Sequence, residues 1–105
     1  MSDAKPNTLV EIERQVVSLF ADGVRVAGLP RSVGEIYGLL FVSAEPLAMD
    51  DLVVRLNISK GSVSQGLKFL RTLGAIREVE GPDVRRTYYE GDIELKKLVG
   101  GFIRE

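Results

Sequence analysis

Apolar residues recur along this chain at spacings that change from segment to segment, and each change marks an element. From about Leu9 to Ala27 the positions Leu9, Ile12, Val16, Phe20, Val24 and Ala27 fall at steps of three and four. That is the period of a helix burying one stripe. Val17 and Leu19 broaden the stripe, and Gly28-Leu29-Pro30 stops the helix. Ser32 is placed to N-cap a second helix, Val33 to about Ser43, with Val33, Ile36, Tyr37, Leu40 and Phe41 on its buried side. Gly34 and Gly38 stand one turn apart, which predicts close helix packing within the domain. The segment is too short for the membrane pairing that a G-x-x-x-G step would otherwise suggest.

Glu45-Pro46-Leu47 breaks the helix and adds a short strand. A third helix covers about Met49 to Leu56 and buries Leu52, Val53 and Leu56, with Asp50 and Asp51 in the first turn, where the helix dipole favours acids. Asn57-Ile58-Ser59 is a tight turn. A fourth helix runs from Lys60 to about Leu73, with Ser59 as N-cap and Gly74 as stop. The period then drops to two over Ala75–Glu80, a strand, and Gly81-Pro82-Asp83 is turn chemistry. Arg86–Glu90 is the returning strand. Gly91-Asp92 opens a last helix on Ile93, Leu95, Leu98, Val99, Phe102 and Ile103.

These elements predict a mostly α (α+β) fold: a winged helix-turn-helix with a two-stranded β wing and flanking N- and C-terminal helices. Residues 1–8 are polar, contain Pro6 and are expected to form a disordered tail. Residues 9–28 form the N-terminal helix, 29–91 the winged helix-turn-helix, and 92–105 a C-terminal helix. With 105 residues, one core is expected. The first helix is too apolar for a lone subunit, so Leu9, Ile12, Val16 and Phe20 are expected to meet a partner subunit or the last helix and, with Leu98 and Phe102, to serve dimerisation.

Composition narrows the chemistry. The chain has no Cys and no His, which excludes disulfides, zinc fingers, thiol nucleophiles and Ser-His triads. Asp50 and Asp51 are adjacent, so on a helix they point about 100° apart and cannot share one substrate proton. No enzyme activity, metal or cofactor is expected. The segment Met1–Pro6 lacks the apolar core of a signal peptide, and no run reaches membrane length. A cytoplasmic protein without membrane contact is expected.

Net charge is −1, which by itself argues against a nucleic-acid binder. The distribution reverses that. Residues 52–77 carry five cations (Arg55, Lys60, Lys68, Arg71 and Arg77) and no acid, while both flanks are acidic. Local charge decides what a surface attracts. On a helical wheel, Val63, Leu67, Leu70 and Gly74 cluster as a core face. Gly61, Gln65, Lys68 and Thr72 fall opposite, with Ser62, Ser64 and Arg71 at the flanks. That outer face holds no acid and no large apolar residue.

Each outer residue has a task in reading double-stranded DNA. Ser59, Lys60 and Ser62 stand at the helix start, where backbone donors and the dipole suit a phosphate. Gly61 lets the backbone approach. Gln65 suits an adenine edge, Lys68 a guanine or a phosphate, and Ser64 either. The loop Gly81–Arg86 is the wing, and Arg85 or Arg86 can reach phosphates or a narrow minor groove. The rival reading is a winged helix used for protein–protein contact without DNA, which shares every fold signal and lacks only a reason for the acid-free face.

The strings Gly28-Leu29-Pro30-Arg31-Ser32-Val33-Gly34-Glu35-Ile36-Tyr37-Gly38-Leu39-Leu40-Phe41 and Asn57-Ile58-Ser59-Lys60-Gly61-Ser62-Val63-Ser64 carry a resemblance. With Glu45-Pro46-Leu47, Asp51-Leu52, Leu67, Leu70, Leu73-Gly74 and Tyr88-Tyr89, the chain resembles the GbsR subgroup of the MarR-type winged-helix regulators over about residues 9 to 100. The resemblance implies a homodimer on a roughly palindromic operator, control of transcription, and in some relatives a small effector such as a choline-like molecule. Two departures stand out. Ala48 occupies a position where the family often has Thr or Ser. Relatives also continue into long C-terminal helices, whereas this pattern reaches Glu105 with no cap signal, as expected of a shorter or truncated form. The operator, the regulated genes, the sign of regulation and the effector are not encoded in any of these features.

Overall fold

The computed structural model describes residues 9–103. Their elements follow in the order α1 (Glu11–Val26), α2 (Arg31–Val42), β1 (Leu47–Ala48), α3 (Met49–Leu56), α4 (Lys60–Leu73), β2 (Ile76–Val79), β3 (Tyr88–Gly91) and α5 (Ile93–Ile103). α2 is the spine. Ile36, Leu39 and Leu40 on it are fully buried, together with Leu52 of α3 and Val63 of α4. A helix this apolar all round has to be enclosed by its neighbours.

α1 lies directly on α2 because two glycines remove the side chains that would hold them apart. A Cβ on Gly34 would stand 2.7 Å from the carbonyl carbon of Phe20 and 2.8 Å from Cα of Ala21. One on Gly38 would meet Cα of Val17 at 3.0 Å. The Phe20 ring then packs edge-on against Tyr37, with centroids 5.2 Å apart, and sits 5.2 Å from Phe41. The glycine step is thus intradomain helix packing, as its length predicts.

Local signals fix the ends of α4. Ser59 Oγ accepts from the backbone N–H of Ser62 at 3.0 Å, and Gly74 ends the helix in the left-handed region. Asn57 also has a positive φ, 57°, which turns the chain between α3 and α4. At Ala48 there is no hydroxyl to cap α3. Asp51 instead reaches back, its Oδ2 accepting from the Ala48 N–H at 2.9 Å. Asp92 caps α5 by accepting from the Leu95 N–H.

Three expectations are corrected, while the short strand expected beside Leu47 is present and joins the wing sheet. α2 starts at Arg31 with Pro30 as its N-cap residue, and Ser32 makes no capping bond, because the Val33 N–H already donates to the Pro30 carbonyl and Ser32 lies inside the first turn. The sheet has three strands in the order β1-β3-β2, with Leu47 opposite Tyr89 and Ala48 opposite Tyr88. Gly74 is an exposed cap rather than part of the core face of α4, and Gly66 takes that place, buried against Ile36. Finally, the inward face of α1 is Val17 and Ala21, with Phe20 packed beside them. Val16 is half-buried and Ile12 exposed.

Candidate nucleic-acid interface

The core face of α4 dictates its outer face. Val63, Gly66, Leu67 and Leu70 are buried, so Lys60, Gly61, Ser64, Gln65, Lys68 and Thr72 all turn to solvent, and each is exposed. Gln65 makes no side-chain hydrogen bond among the described residues, so its amide is free to donate and accept together. Thr72 spends its hydroxyl on the carbonyl of Lys68 at 2.9 Å. Ser59 spends its oxygen on the cap and donates to Ser62 Oγ at 3.0 Å. These two serines therefore shape the helix start, while the N–H groups of Lys60 and Gly61 remain open toward solvent.

The basic island divides when its partners are counted. Arg55 pairs with Glu13 of α1, both side chains largely buried. Arg71 lies 3.1 Å from Glu78, and Arg77 lies 2.7 Å from Glu90. Among the described residues Lys60 and Lys68 have no carboxylate partner, so these two lysines carry the uncompensated positive charge of α4. Phe69 and Leu73 are partly exposed at the flank of the helix. They rim an apolar groove of about 180 Å³ shared with Phe20, Val24, Leu29 and Leu95. The Tyr37 hydroxyl beside it is buried without a hydrogen-bond partner among the described residues, and burial, then Asp92, pushes its pKa up.

The two wing arginines, which the sequence leaves as alternatives, have different partners. Arg86 points back to α3, 3.7 Å from Asp51 and 3.9 Å from Asp50, with its guanidinium 5.5 Å from the Tyr88 ring centre. Arg85 stays at the tip with its side chain 86% exposed. Asp83 closes the turn, its carbonyl accepting from the Arg86 N–H at 2.9 Å, and its carboxyl is held below the ordinary value by Arg85. Gly81 is required where it stands, since a Cβ there would run into the Tyr88 ring. Val84 stands at the tip beside Arg85 and is 92% exposed.

Of the dimerisation set, Leu9 and Phe20 are taken up by the subunit's own core. Ile12 and Leu98 are exposed, and Val16 is half-buried. The side chain of Phe102 lies outside the described residues. No helix among the described residues is long and apolar enough to cross a membrane.

Two helices joined by a left-handed turn, the second with an open polar face, followed by a hairpin rooted on a short strand, define the winged helix-turn-helix class. No family model matches the sequence. Among curated proteins the chain is 26% identical over 87 residues to the HTH-type transcriptional repressor GbsR of Bacillus subtilis (strain 168), covering 83% of this chain and 48% of that protein. It is 24% identical over 86 residues to the putative HTH-type transcriptional regulator YvaV of the same organism, covering 81% and 49%. The chain thus spans about half the length of the curated relatives it matches.

Solved structures agree on the fold. A crystal structure of a transcriptional regulator superposes with a TM-score of 0.72 at 24% identity, covering 79% of this chain and 57% of that one. The S. aureus MepR–DNA complex superposes with a TM-score of 0.59 at 18% identity, covering 89% and 69%. The resemblance to GbsR therefore holds in sequence, and the solved structures share the winged-helix fold.

Proposed function

We propose that this chain binds double-stranded DNA as the reading unit of a homodimeric transcriptional regulator in the cytoplasm, with no catalytic role. α4 lies in the major groove and the wing lies against the backbone or minor groove. The observation that carries this reading is the outer face of α4: acid-free, exposed along its length, with Lys60 and Lys68 unpaired among the described residues and the Gln65 amide free. A face serving only as a solvated surface usually carries Glu or Asp. Arg85 is the wing residue assigned to DNA, and Arg86 to the contact with α3. A MepR–DNA complex shares the fold, and the matched relatives are named as transcriptional regulators; both support the reading.

The test is selection from a randomised duplex library with the full chain, followed by affinity measurement across salt. Enrichment of one motif, with log K falling by about 0.9 per phosphate contact per decade of salt, is the expected result. No enrichment together with a flat salt response would favour the protein–protein module instead.

A further inference from the structure

We propose that the ion pair between Glu13 and Arg55 is a strut that sets the tilt of the α3–α4 unit against α1, so that both are positioning residues for DNA. This rests on the two-copy DNA binding proposed above. In a dimer, the tilt of each unit fixes the separation and the angle at which the two α4 helices meet the duplex.

The pair is built for one geometry. Arg55 Nη2 meets Glu13 Oε1, with side chains only 22% and 18% exposed, across 42 positions of sequence. Glu13 Oε1 also accepts from the Val10 N–H at 3.2 Å, so the carboxylate is anchored to its own helix start before it reaches α3. Close packing does not fix this joint. α1 lies on α2 rather than on α3. Val10, Glu11 and Ile12 are exposed, and Leu9 is the apolar residue that enters the core at this end. A cleft of about 440 Å³, lined by Arg14, Ser18, Arg55, Leu56 and Asn57, opens between α1 and the end of α3. An ion pair shielded from water holds its ends together more firmly than one on the open surface, and losing one partner leaves the other charge uncompensated. The pair therefore decides how wide the cleft stands.

The place of Arg55 in the fold gives the strut its leverage. It lies in the last turn of α3. Residues 57–59 alone separate α3 from α4, and Asn57 turns the chain there with a left-handed backbone. So short a joint passes a shift of Arg55 on to Lys60 at the start of α4. The other paired arginines of the basic island are tied elsewhere, Arg71 to Glu78 of β2 and Arg77 to Glu90 of β3.

The test uses the full chain and duplexes that carry the selected motif with the spacer between half-sites shortened or lengthened by one base pair. Each change shifts one half-site by about 3.4 Å and turns it by roughly 35°. The unaltered chain should discriminate against both duplexes by about tenfold or more. Glu13→Gln keeps an oxygen for the Val10 N–H and removes the charge, and Arg55→Met keeps the apolar stem. Each should lower affinity for the native spacing about tenfold and bring the shifted duplexes to within about threefold of it. The double variant leaves no lone charge, so it keeps the fold, and it should show the same flattened profile without further loss, because the two residues share one contact. A duplex with a single half-site should bind all four proteins alike. An unchanged spacer profile in the variants would overturn the strut, and so would equal losses on half-site and full duplexes. If Glu13→Gln raises affinity for every duplex, Arg55 is a DNA cation that the acid restrains, and the strut is overturned. An unaltered chain indifferent to spacer length would remove the two-copy arrangement and the strut's role with it, whereas one that enriches no motif would remove the DNA binding itself.

Discussion

Asp83 accepts three times from Arg85, from its backbone N–H at 3.0 Å, from its guanidinium Nε at 3.2 Å and from Nη2 at 3.4 Å, so one carboxylate sets both the wing turn and the heading of the arginine. The side-chain bond first, then the backbone bond, holds the Asp83 carboxyl below its ordinary value of 3.8. A lowered pKa means that the anchoring is complete above the ordinary value and is lost as pH falls through the folded-state value. A carbon-detected titration of Asp83 should therefore show a midpoint below 3.8. Arg85→Ala should move it upward, leaving the backbone bond and the weaker Arg86 charge. Equal midpoints in the two proteins would mean that the guanidinium is not held.

The approach of α1 to α2 predicts graded damage. A Cβ on Gly34 meets α1 backbone atoms at under 3 Å, which cannot rotate away, whereas one on Gly38 meets the Val17 Cα at 3.0 Å and the Phe20 side chain at 3.2 Å, a tighter fit than usual but not a collision. Gly34→Ala should destabilise by about 1–3 kcal/mol or somewhat more, the range of core overpacking, and Gly38→Ala by less. Urea denaturation orders the two. Equal small effects would show that the helices sit further apart.

Residue roles on α4 should separate by specificity. Gln65→Ala should cost about 1–3 kcal/mol on the selected motif and much less on random duplex. Lys60→Ala should weaken both alike and reduce the salt slope by about one. Leu67→Ala, buried at 2% exposure, is the folding control and should destabilise by roughly 2–5 kcal/mol. If Gln65→Ala leaves both affinities unchanged, α4 presents a different face to DNA.

Glu78 makes a prediction of the opposite sign. It holds Arg71 at 3.1 Å, beside the reading helix. Glu78→Gln removes that carboxylate and frees a cation, so affinity for all duplex DNA should rise and the salt slope should steepen by about one. A fall in affinity would show that the pair positions Arg71 for DNA rather than restraining it.

Where the sequence alone suffices and where it fails follows from the range of the interactions involved. α4 is legible to the residue because Ser59 and Gly74 act on their own neighbours, and its reading face follows once Val63, Leu67 and Leu70 are buried. The starts of α3 and α5 are legible for the same reason, since Asp51 and Asp92 act on their own neighbours. α1 is harder, since apolar residues lie on two of its faces and periodicity alone does not say which one meets α2. Leu9 and Phe20 turn inward, and Leu19 and Val26 turn outward. The pairings of Arg55 with Glu13 and of Arg86 with Asp50 and Asp51 join residues more than 30 positions apart. No local pattern reveals that these cations are already occupied.

Ala48 is the last residue of β1, its pairing partner is Tyr88 in the wing, and the next residue begins α3. No loop separates strand from helix, and the Asp51 carboxylate ties the joint from the helix side. Wing and helix-turn-helix are thus welded at a shared corner, like two blades of one tool. A displacement of α3 should therefore carry the wing with it, and a load on the wing should reach α3.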